Sequence, residues 1–333
     1  AIRSRRVALG AFGVTAVAIA AVFAYRWLDG RREITLRDRD IGETHLVLRA
    51  FDWDPTTLSA IEVPAADFSV ELARPATDDP DLPGAPFADE DVSTEPLSST
   101  NEMRITARGG PAVLVVARRD RAHLPCSPVV VPIRRLPGYN QTRELTLRIP
   151  TCEASASTMI QIPAGPFLAE GVGVPPASDL QKIKSVERRR ELPTYALDRT
   201  EVPNALVAVI ADALAASDRR LPIYPHSYGL EDAGAPDRPV ASFTRNEAAA
   251  VCRLLGKRLP TSHEWQKAAR GGTILDGKPN RFPVRNLPWG PELALTRANI
   301  KRGEVAAPTP VGSFPDDVGP YGHLDLAGNV SEW

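Results

Sequence analysis

The sequence feature that most constrains the fold is a pair of short helices that begin with the same capping signal and lie close together in the chain. Thr244 is followed three residues later by Glu247, and Thr261 is followed three residues later by Glu264. In each pair the threonine hydroxyl can accept an early helical N–H while the glutamate reaches back to the N-cap N–H. Gly256 ends the first helix, because glycine readily adopts the left-handed conformation that stops a helix. Apolar positions recur every three or four residues and predict one buried face per helix: Ala248, Val251, Cys252 and Leu255, then Trp265, Ala268 and Ala269.

The chain before these helices has the pattern of β-structure. Seven short runs are rich in β-formers or alternate polar and apolar residues, with turn-forming residues between them: 33–37, 45–53, 68–72, 103–108, 112–118, 129–134 and 144–149. The 32 prolines of the chain favour extended segments over long helices. These patterns predict a small β-sandwich. Residues 75–100 are acidic, proline-rich and poor in apolar side chains, which predicts a disordered segment or a long surface loop.

An uncharged, apolar run of nineteen residues, 7–25, follows three arginines within residues 1–6. At ~1.5 Å rise per residue, the run is about long enough to cross a bilayer core of roughly 30 Å. It therefore predicts a transmembrane helix over residues 7–28. A cleavable secretory signal and a buried soluble helix are the alternatives. Three further arginines within residues 26–32 nearly balance the first three, so charge counting alone does not fix the orientation.

Charge and cysteine content limit the partners and the crosslinks of the chain. The 40 basic and 41 acidic side chains nearly balance, so we expect no nucleic-acid partner. Only three cysteines occur. Cys126 and Cys152 lie in the β-rich region and are candidate disulfide partners in an oxidising compartment, where a loop of this size stabilises the fold by ~3 to 4 kcal/mol in the chain-entropy model. Cys252 lies on the apolar face of the first capped helix, where a free thiol packs as a small apolar residue.

A series of motifs in the second half of the chain resembles the formylglycine-generating enzyme family, also called the sulfatase-modifying factor family. The motifs occur in the family's order and at roughly its spacing: MIQIPAGPFL at 159–168, YALDRTEVPN at 195–204, GKRLPTSHEWQKAARGG at 256–272, LPWG at 287–290, ANI at 298–300, PVGSFP at 310–315 and DLAGNVSEW at 325–333. The resemblance covers about residues 155–333. Fold analogy of this kind leaves the activity to be argued separately.

The resemblance implies an α+β fold, the complex and loop-rich formylglycine-generating-enzyme (C-type-lectin-like) fold, preceded by the small β-sandwich and the transmembrane helix. The predicted parts are a basic cytoplasmic flank at 1–6, the transmembrane helix at 7–28, a β-rich extracytoplasmic module at 29–153, and the family domain at 154–333, which we expect to be C-terminally incomplete. The calcium and cysteine chemistry of the family is commonly met outside the cytoplasm. We therefore expect a single-pass membrane protein whose C-terminal part is extracytoplasmic.

The catalytic chemistry implied by the resemblance is the oxygen-dependent oxidation of a sulfatase cysteine to formylglycine. The family places a copper-binding cysteine pair toward its C-terminal end, and thiolates suit a cuprous ion. The three cysteines of this chain do not match those positions, so copper is expected only if cysteines exist beyond Trp333. Cys252 matches a cysteine that is often structural in the family, with a partner that would also lie beyond Trp333. Ser331 stands where the catalytic members usually carry tryptophan, which resembles members of doubtful activity.

The resemblance also implies calcium binding. One site would use the side chain of Asp325, the carbonyls of Gly328 and Val330, and the carboxylate of Glu332, which are the hard oxygen ligands that Ca²⁺ prefers. A second would use Asn299 and the carbonyl of Ile300, although the loop after them offers only one acid. The alternative is that Asp325 and Glu332 are solvated loop acids.

Three functions remain open from the sequence. The first is a membrane-anchored extracytoplasmic protein with a formylglycine-generating-enzyme-like domain, an oxidoreductase if active. The second is a non-catalytic sensor or binding domain for a protein or peptide ligand, part of a single-pass signalling receptor such as a serine/threonine kinase whose cytoplasmic part is missing. The third is a structural adaptor at the cell surface.

Overall fold

The computed structural model describes residues 40–63, 67–87, 92–97, 101–169, 188–217, 234–291, 294–300 and 307–333. It is a mixed α/β structure in which strands predominate and the helices are few and short. This agrees with the predicted fold class. The predicted transmembrane segment, 7–28, lies outside the described residues, and none of the helices within them has the length and apolarity needed to cross a membrane.

Nine strands form the first half of the described chain. They are β1 (Ile41–Asp54), β2 (Ser59–Val63), β3 (Phe68–Pro75), β4 (Pro83–Pro86), β5 (Val92–Pro96), β6 (Glu102–Arg108), β7 (Gly110–Arg119), β8 (Pro125–Leu136) and β9 (Thr142–Pro150). Six of them contain the runs that the sequence predicts, and the predicted run at 33–37 lies outside the described residues.

The nine strands form two sheets. In one, β1 pairs antiparallel with β2 and β6, β5 pairs with β6, and β9 runs parallel to β1. In the other, the order is β4-β3-β7-β8 and every pair is antiparallel. Along β1 the buried and more exposed residues alternate from Ile41 to Ala50, because successive side chains of a strand point to opposite faces. Each sheet therefore has a face available for a core.

Within the described residues, the second half of the chain contains five short α-helices, one 3-10 helix (Leu295–Arg297) and three two-stranded sheets. The helices are α1 (Cys152–Ser157), α2 (Asn204–Val209), α3 (Ala211–Ala216), α4 (Arg245–Leu254) and α5 (Ser262–Arg270). The strand pairs are β10 (Met159–Ile162) with β13 (Tyr195–Asp198), β11 (Gly165–Ala169) with β12 (Arg188–Leu192), and β14 (Ile274–Leu275) with β15 (Lys278–Pro279). Turns and loops make up most of the remainder, as the resemblance predicts.

One hydrophobic cluster connects the two halves. It contains buried residues of both large sheets and of α2, α3 and α4, among them Leu114, Val131, Leu147, Ile210, Leu214, Val251 and Leu254. The core is therefore continuous across residue 153, where the sequence predicts a boundary between two modules. The boundaries and the sandwich arrangement of the two sheets stay predictions.

The segment 75–100 differs from its expectation. Where the sequence predicts a disordered or long surface loop, β4 and β5 lie against β3 and β6 respectively. Both strands are short and mostly exposed. β4 and β5 are stabilised by backbone hydrogen bonds to strands elsewhere in the chain. The composition of a segment does not indicate whether such a partner strand exists.

Candidate functional site

An open cleft of about 1180 Å³ lies between α5 and the loop formed by residues 325–333. One wall consists of residues of 258–270, the opposite wall consists of residues of the 325–333 loop, and residues 285–288 with Arg245 complete the lining. Trp265 Nε1 donates a hydrogen bond to Glu332 Oε2 at 2.5 Å and so connects the two walls. The cleft thus joins the two motifs that the sequence distinguishes most clearly.

The α5 wall is fixed by the predicted capping box. The Thr261 hydroxyl accepts the Glu264 N–H at 3.3 Å, and Glu264 Oε2 accepts the Thr261 N–H at 2.8 Å. The same box forms between Thr244 and Glu247 at the start of α4. Glu264 also receives both guanidinium nitrogens of Arg258, at 2.8 and 2.6 Å. This bidentate pair lowers the pKa of Glu264 to about 2. Both capping boxes are confirmed.

Two side chains of α5 are more buried than the sequence suggests. Beside Ala268 and Ala269, the helix buries Glu264 and Lys267. Lys267 Nζ donates to the carbonyl of Pro163, directly after β10, at 2.6 Å and to that of Gly165, the first residue of β11, at 3.0 Å. Trp265, expected on the same buried face, lines the cleft instead. Lys267 therefore holds α5 against the turn before β11.

The opposite wall is a tightly folded loop. Asp325 and Asn329 both have left-handed backbone conformations, with φ of 59° and 66°. Asp325 is 3% exposed, and its Oδ2 accepts the Gly312 N–H at 2.6 Å. Asp317 is also buried, and its Oδ2 accepts the Ala327 N–H at 3.2 Å. The predicted ligand Asp325 is thus held by one backbone N–H from outside the loop, and Asp317 holds the loop itself through Ala327.

Glu201 is a buried carboxylate of this site that the sequence reasoning missed. Its Oε1 accepts the Val330 N–H at 2.9 Å and its Oε2 accepts Asn329 Nδ2 at 2.6 Å, across about 130 positions of the chain. Glu201 lies inside the motif at 195–204, in the strand-to-helix connection that also contains Arg199 and Thr200, and no local sequence pattern distinguishes it. Its position shows that the 325–333 loop depends on a distant segment.

The second predicted ligand group lies against the same loop. Asn299 donates through Nδ2 to Asn329 Oδ1 at 3.1 Å, and the Asn299 carbonyl accepts the Asn329 N–H at 3.2 Å. A side chain at Gly328 would approach that carbonyl to 2.8 Å, so only glycine fits there. Ile300 follows directly, and Glu304 lies outside the described residues. The structure therefore brings Asn299 and Ile300 close to the loop that carries Asp325, Gly328, Val330 and Glu332.

The electrostatics of the loop are those of crowded carboxylates. Burial, together with the neighbouring charges of Asp325 and Glu332, raises the pKa of Glu201 to about 8. Burial also raises the pKa of Asp325, of Asp317 to about 6, and of Glu332 to about 7, with Asp325 again a contributor for the last two. Four acidic groups are crowded here with mainly neutral N–H donors as partners, and their raised pKa values mean that crowding and burial disfavour the charged forms.

This donor set fits a calcium ion. Two carboxylates and two loop carbonyls are hard oxygen ligands, and a divalent cation would relieve the repulsion between the acids. Among the described residues, no three His, Cys, Asp or Glu side chains are grouped as a metal site. The predicted set needs only two such side chains, Asp325 and Glu332.

The cysteines of the described chain do not fit copper. Cys126 and Cys152 are joined in a disulfide with a Cα–Cα distance of 5.9 Å. Cys252 is half-buried on α4, and desolvation raises the pKa of its thiol to about 11. A copper site of the expected type needs a pair of thiolates. The described residues do not provide that pair, and no cysteine is among those that line the cleft.

A loop-rich α/β structure, with a capped helix facing an oxygen-lined loop across an open cleft, defines the class of protein. The profile of the sulfatase-modifying factor enzyme 1-like domain matches residues 146–333, more than half of the chain. The chain belongs to this family. Its predicted start at residue 154 lies close to the start of the match.

Individual relatives include catalytic and non-catalytic proteins. The chain is 38% identical over 105 residues to the inactive C-alpha-formylglycine-generating enzyme 2 of Bos taurus, covering 28% of this chain and 32% of the relative. It is 35% identical over 111 residues to the formylglycine-generating enzyme of Bos taurus, covering 29% and 27%. It is 37% identical over 100 residues to the serine/threonine-protein kinase pkn1 of Chlamydia pneumoniae, covering 30% and 14%. The chain thus spans a third or less of the length of these relatives.

Proposed function

We propose that the family domain of this chain is a calcium-stabilised binding domain for a protein or peptide ligand, held on the outer side of a membrane by residues 7–28. The observation that carries the proposal is the cleft, because its second wall is the same loop that contains the proposed calcium ligands. A cation bound by Asp325 and Glu332 would fix that wall opposite Trp265. Ligand affinity would then depend on calcium.

Four further points support the proposal. The cleft lining within the described chain includes no thiol. The family resemblance implies that Ser331 stands where catalytic members usually carry tryptophan. The disulfide between Cys126 and Cys152 suits an oxidising compartment, which favours an extracytoplasmic location. The likeness to a protein named as a serine/threonine kinase favours a signalling receptor as the larger context. We propose the β-sandwich of residues 29–153 as part of the same extracytoplasmic unit.

The calcium proposal is tested by titrating the full chain, purified in detergent, with Ca²⁺ in a calorimeter. We expect one binding event that is weakened at least about tenfold in Asp325→Asn, because one anionic ligand is lost. Asp316→Asn removes a neighbouring exposed carboxylate and serves as the control. Equal affinity in the wild type and Asp325→Asn would refute the calcium site.

The second candidate function is the oxygen-dependent oxidase. The identity to proteins named formylglycine-generating enzyme favours it. The assay supplies copper, oxygen and a peptide of the Cys-x-Pro-x-Arg type, and follows conversion of the peptide cysteine by mass spectrometry. Turnover by the natural full-length protein would replace the binding function with catalysis. Peptide binding without turnover would support the binding domain.

A further inference from the structure

Arg118 is a buried cation at the junction between the first-half sheets and the family domain. It lies on β7 two residues after the buried Val116, so it continues the buried face of that strand. Arg118 is 1% exposed. The side chain of the next residue, Arg119, is 60% exposed and forms an ion pair with Asp67. Two adjacent arginines therefore have opposite environments.

The guanidinium of Arg118 holds together three segments of the chain. Nε and Nη2 donate to the Ser127 carbonyl on β8, at 3.2 and 2.5 Å. Nη1 donates to the carbonyls of Pro150 at 2.8 Å and Thr151 at 3.1 Å, and to Ser155 Oγ on α1 at 2.7 Å. Because the guanidinium is planar and presents its donors in a fixed fork, these bonds fix the relative positions of β8 and α1.

The same contacts reach the end of α4. The Ser155 hydroxyl donates to the Leu255 carbonyl at 2.8 Å, which satisfies one of the carbonyls left without a helical partner at a C-terminus. Gly256 follows with φ of 66°, and a side chain there would clash with the Arg118 guanidinium. A positive charge is also favourable at this end of a helix dipole. Gly256 is thus required both by its backbone conformation and by the space that Arg118 occupies.

The chain that follows this contact forms part of the cleft. Arg258 and Thr261, which line the cleft wall, come two and five residues after Gly256. A second contact across the junction is the ion pair between Arg253 on α4 and Asp81 before β4, at 3.3 Å with both side chains largely buried. The position of the 258–261 segment therefore depends on where β7 and β8 hold the end of α4.

We propose that Arg118 is a positioning residue that couples the first-half sheets to the cleft. Through its contacts, β7 determines the position of the turn between α4 and α5. The first-half sheets and this wall of the cleft therefore move together. A change at the cleft wall is then transmitted directly to the sheets that precede the family domain. The coupling holds whatever the cleft binds, so failure of the proposed binding function would leave it intact.

The test compares Arg118→Met with Arg119→Met in the full chain. Methionine keeps most of the length and the apolar stem but removes all donors. We expect amide hydrogen exchange of Leu255, Gly256 and Lys257 to be at least about tenfold faster in Arg118→Met, with amides of β6 unchanged, because local opening of the helix end becomes easier. Arg119→Met should leave both regions unchanged.

Two further variants keep the proposal testable if Arg118→Met does not fold. Arg118→Lys retains the positive charge but removes the planar set of guanidinium donors. Gly256→Ala introduces a methyl group that clashes with the Arg118 guanidinium. Each variant should accelerate amide exchange at residues 255–257 selectively. A purely structural role would lower stability and speed exchange throughout the molecule. Uniform acceleration, or unchanged exchange at 255–257 in all folded variants, would overturn the proposal.

Discussion

At the scale of single residues, Glu264 serves the capping box and a bidentate ion pair with one carboxylate. The Arg258 side chain is 64% exposed while that of Glu264 is 10% exposed, so solvent screens the pair and we expect a coupling free energy of about 0.5 to 1 kcal/mol. A double-mutant cycle with Arg258→Met and Glu264→Gln, measured by urea unfolding at pH 7, determines it. Additive effects would show that the two residues act independently.

The same carboxylate predicts a pH dependence. The hydrogen bond from Arg258 lowers the folded-state pKa of Glu264 to about 2, below its ordinary value of 4.5. Because the folded-state pKa of Glu264 is lower than its unfolded-state value, the ionised carboxylate stabilises the folded state. This stabilisation is fully present above about pH 4.5 and is lost as the pH falls through about 2. The stability difference between wild type and Arg258→Met should therefore shrink between pH 5 and about 2. A constant difference across that range, measured by urea unfolding, would contradict the assignment.

Lys267 shows what residue patterns miss. Helical periodicity predicts the buried positions of α5 but does not distinguish a buried alanine from a lysine whose ammonium reaches carbonyls about 100 residues away. We expect Lys267→Met to destabilise the fold by about 1 to 3 kcal/mol, because it leaves the Pro163 and Gly165 carbonyls without their donor. Lys278→Met, at an exposed position, should change the unfolding free energy by less than about 0.5 kcal/mol. Equal effects in chemical denaturation would refute the reasoning.

At the scale of elements, local signals predicted α4, α5 and six of the strands, whereas long-range partners decided β4 and β5. The threonine and glutamate of each capping box lie three residues apart, so the sequence contains the whole interaction. β4 and β5 depend on β3 and β6, and Glu201 reaches the 325–333 loop from another motif. Neither relation has a local sequence pattern, which is why the loop prediction for 75–100 differed and Glu201 was missed.

The capping box of α5 gives an element-scale prediction. Thr261→Ala removes the hydroxyl that accepts the Glu264 N–H, and should lower the unfolding free energy by about 1 kcal/mol. Ser262→Ala, one residue later and exposed, lacks that role and serves as the control. Thermal unfolding of both variants gives the comparison. A Thr261→Ala protein as stable as the control would mean that packing alone holds the start of α5.

At the scale of the whole molecule, the shared core and Arg118 join regions that the sequence treats as consecutive modules. Composition and periodicity report what each segment can form, whereas the packing of α2, α3 and α4 against the sheets is a tertiary relation. The family resemblance predicted the fold of the second half, including the motifs that line the cleft. Motifs that occur in the order of a known family indicate the tertiary arrangement of that family. No comparable resemblance was available for residues 29–153.

The proposed membrane anchor is the remaining whole-molecule prediction. Residues 7–25 carry no charge, and an arginine at the centre of a membrane helix costs about 2.5 to 3.5 kcal/mol on insertion scales. We expect the full chain to remain in membranes washed with alkaline carbonate, and the double variant Val14→Arg with Ile19→Arg to be released. The matched control places the same two arginines at Ile61 and Leu124, which are exposed, and should stay in the membrane fraction. Identical fractionation of all three proteins would remove the anchor from the proposed function while leaving the calcium site and the cleft unaffected.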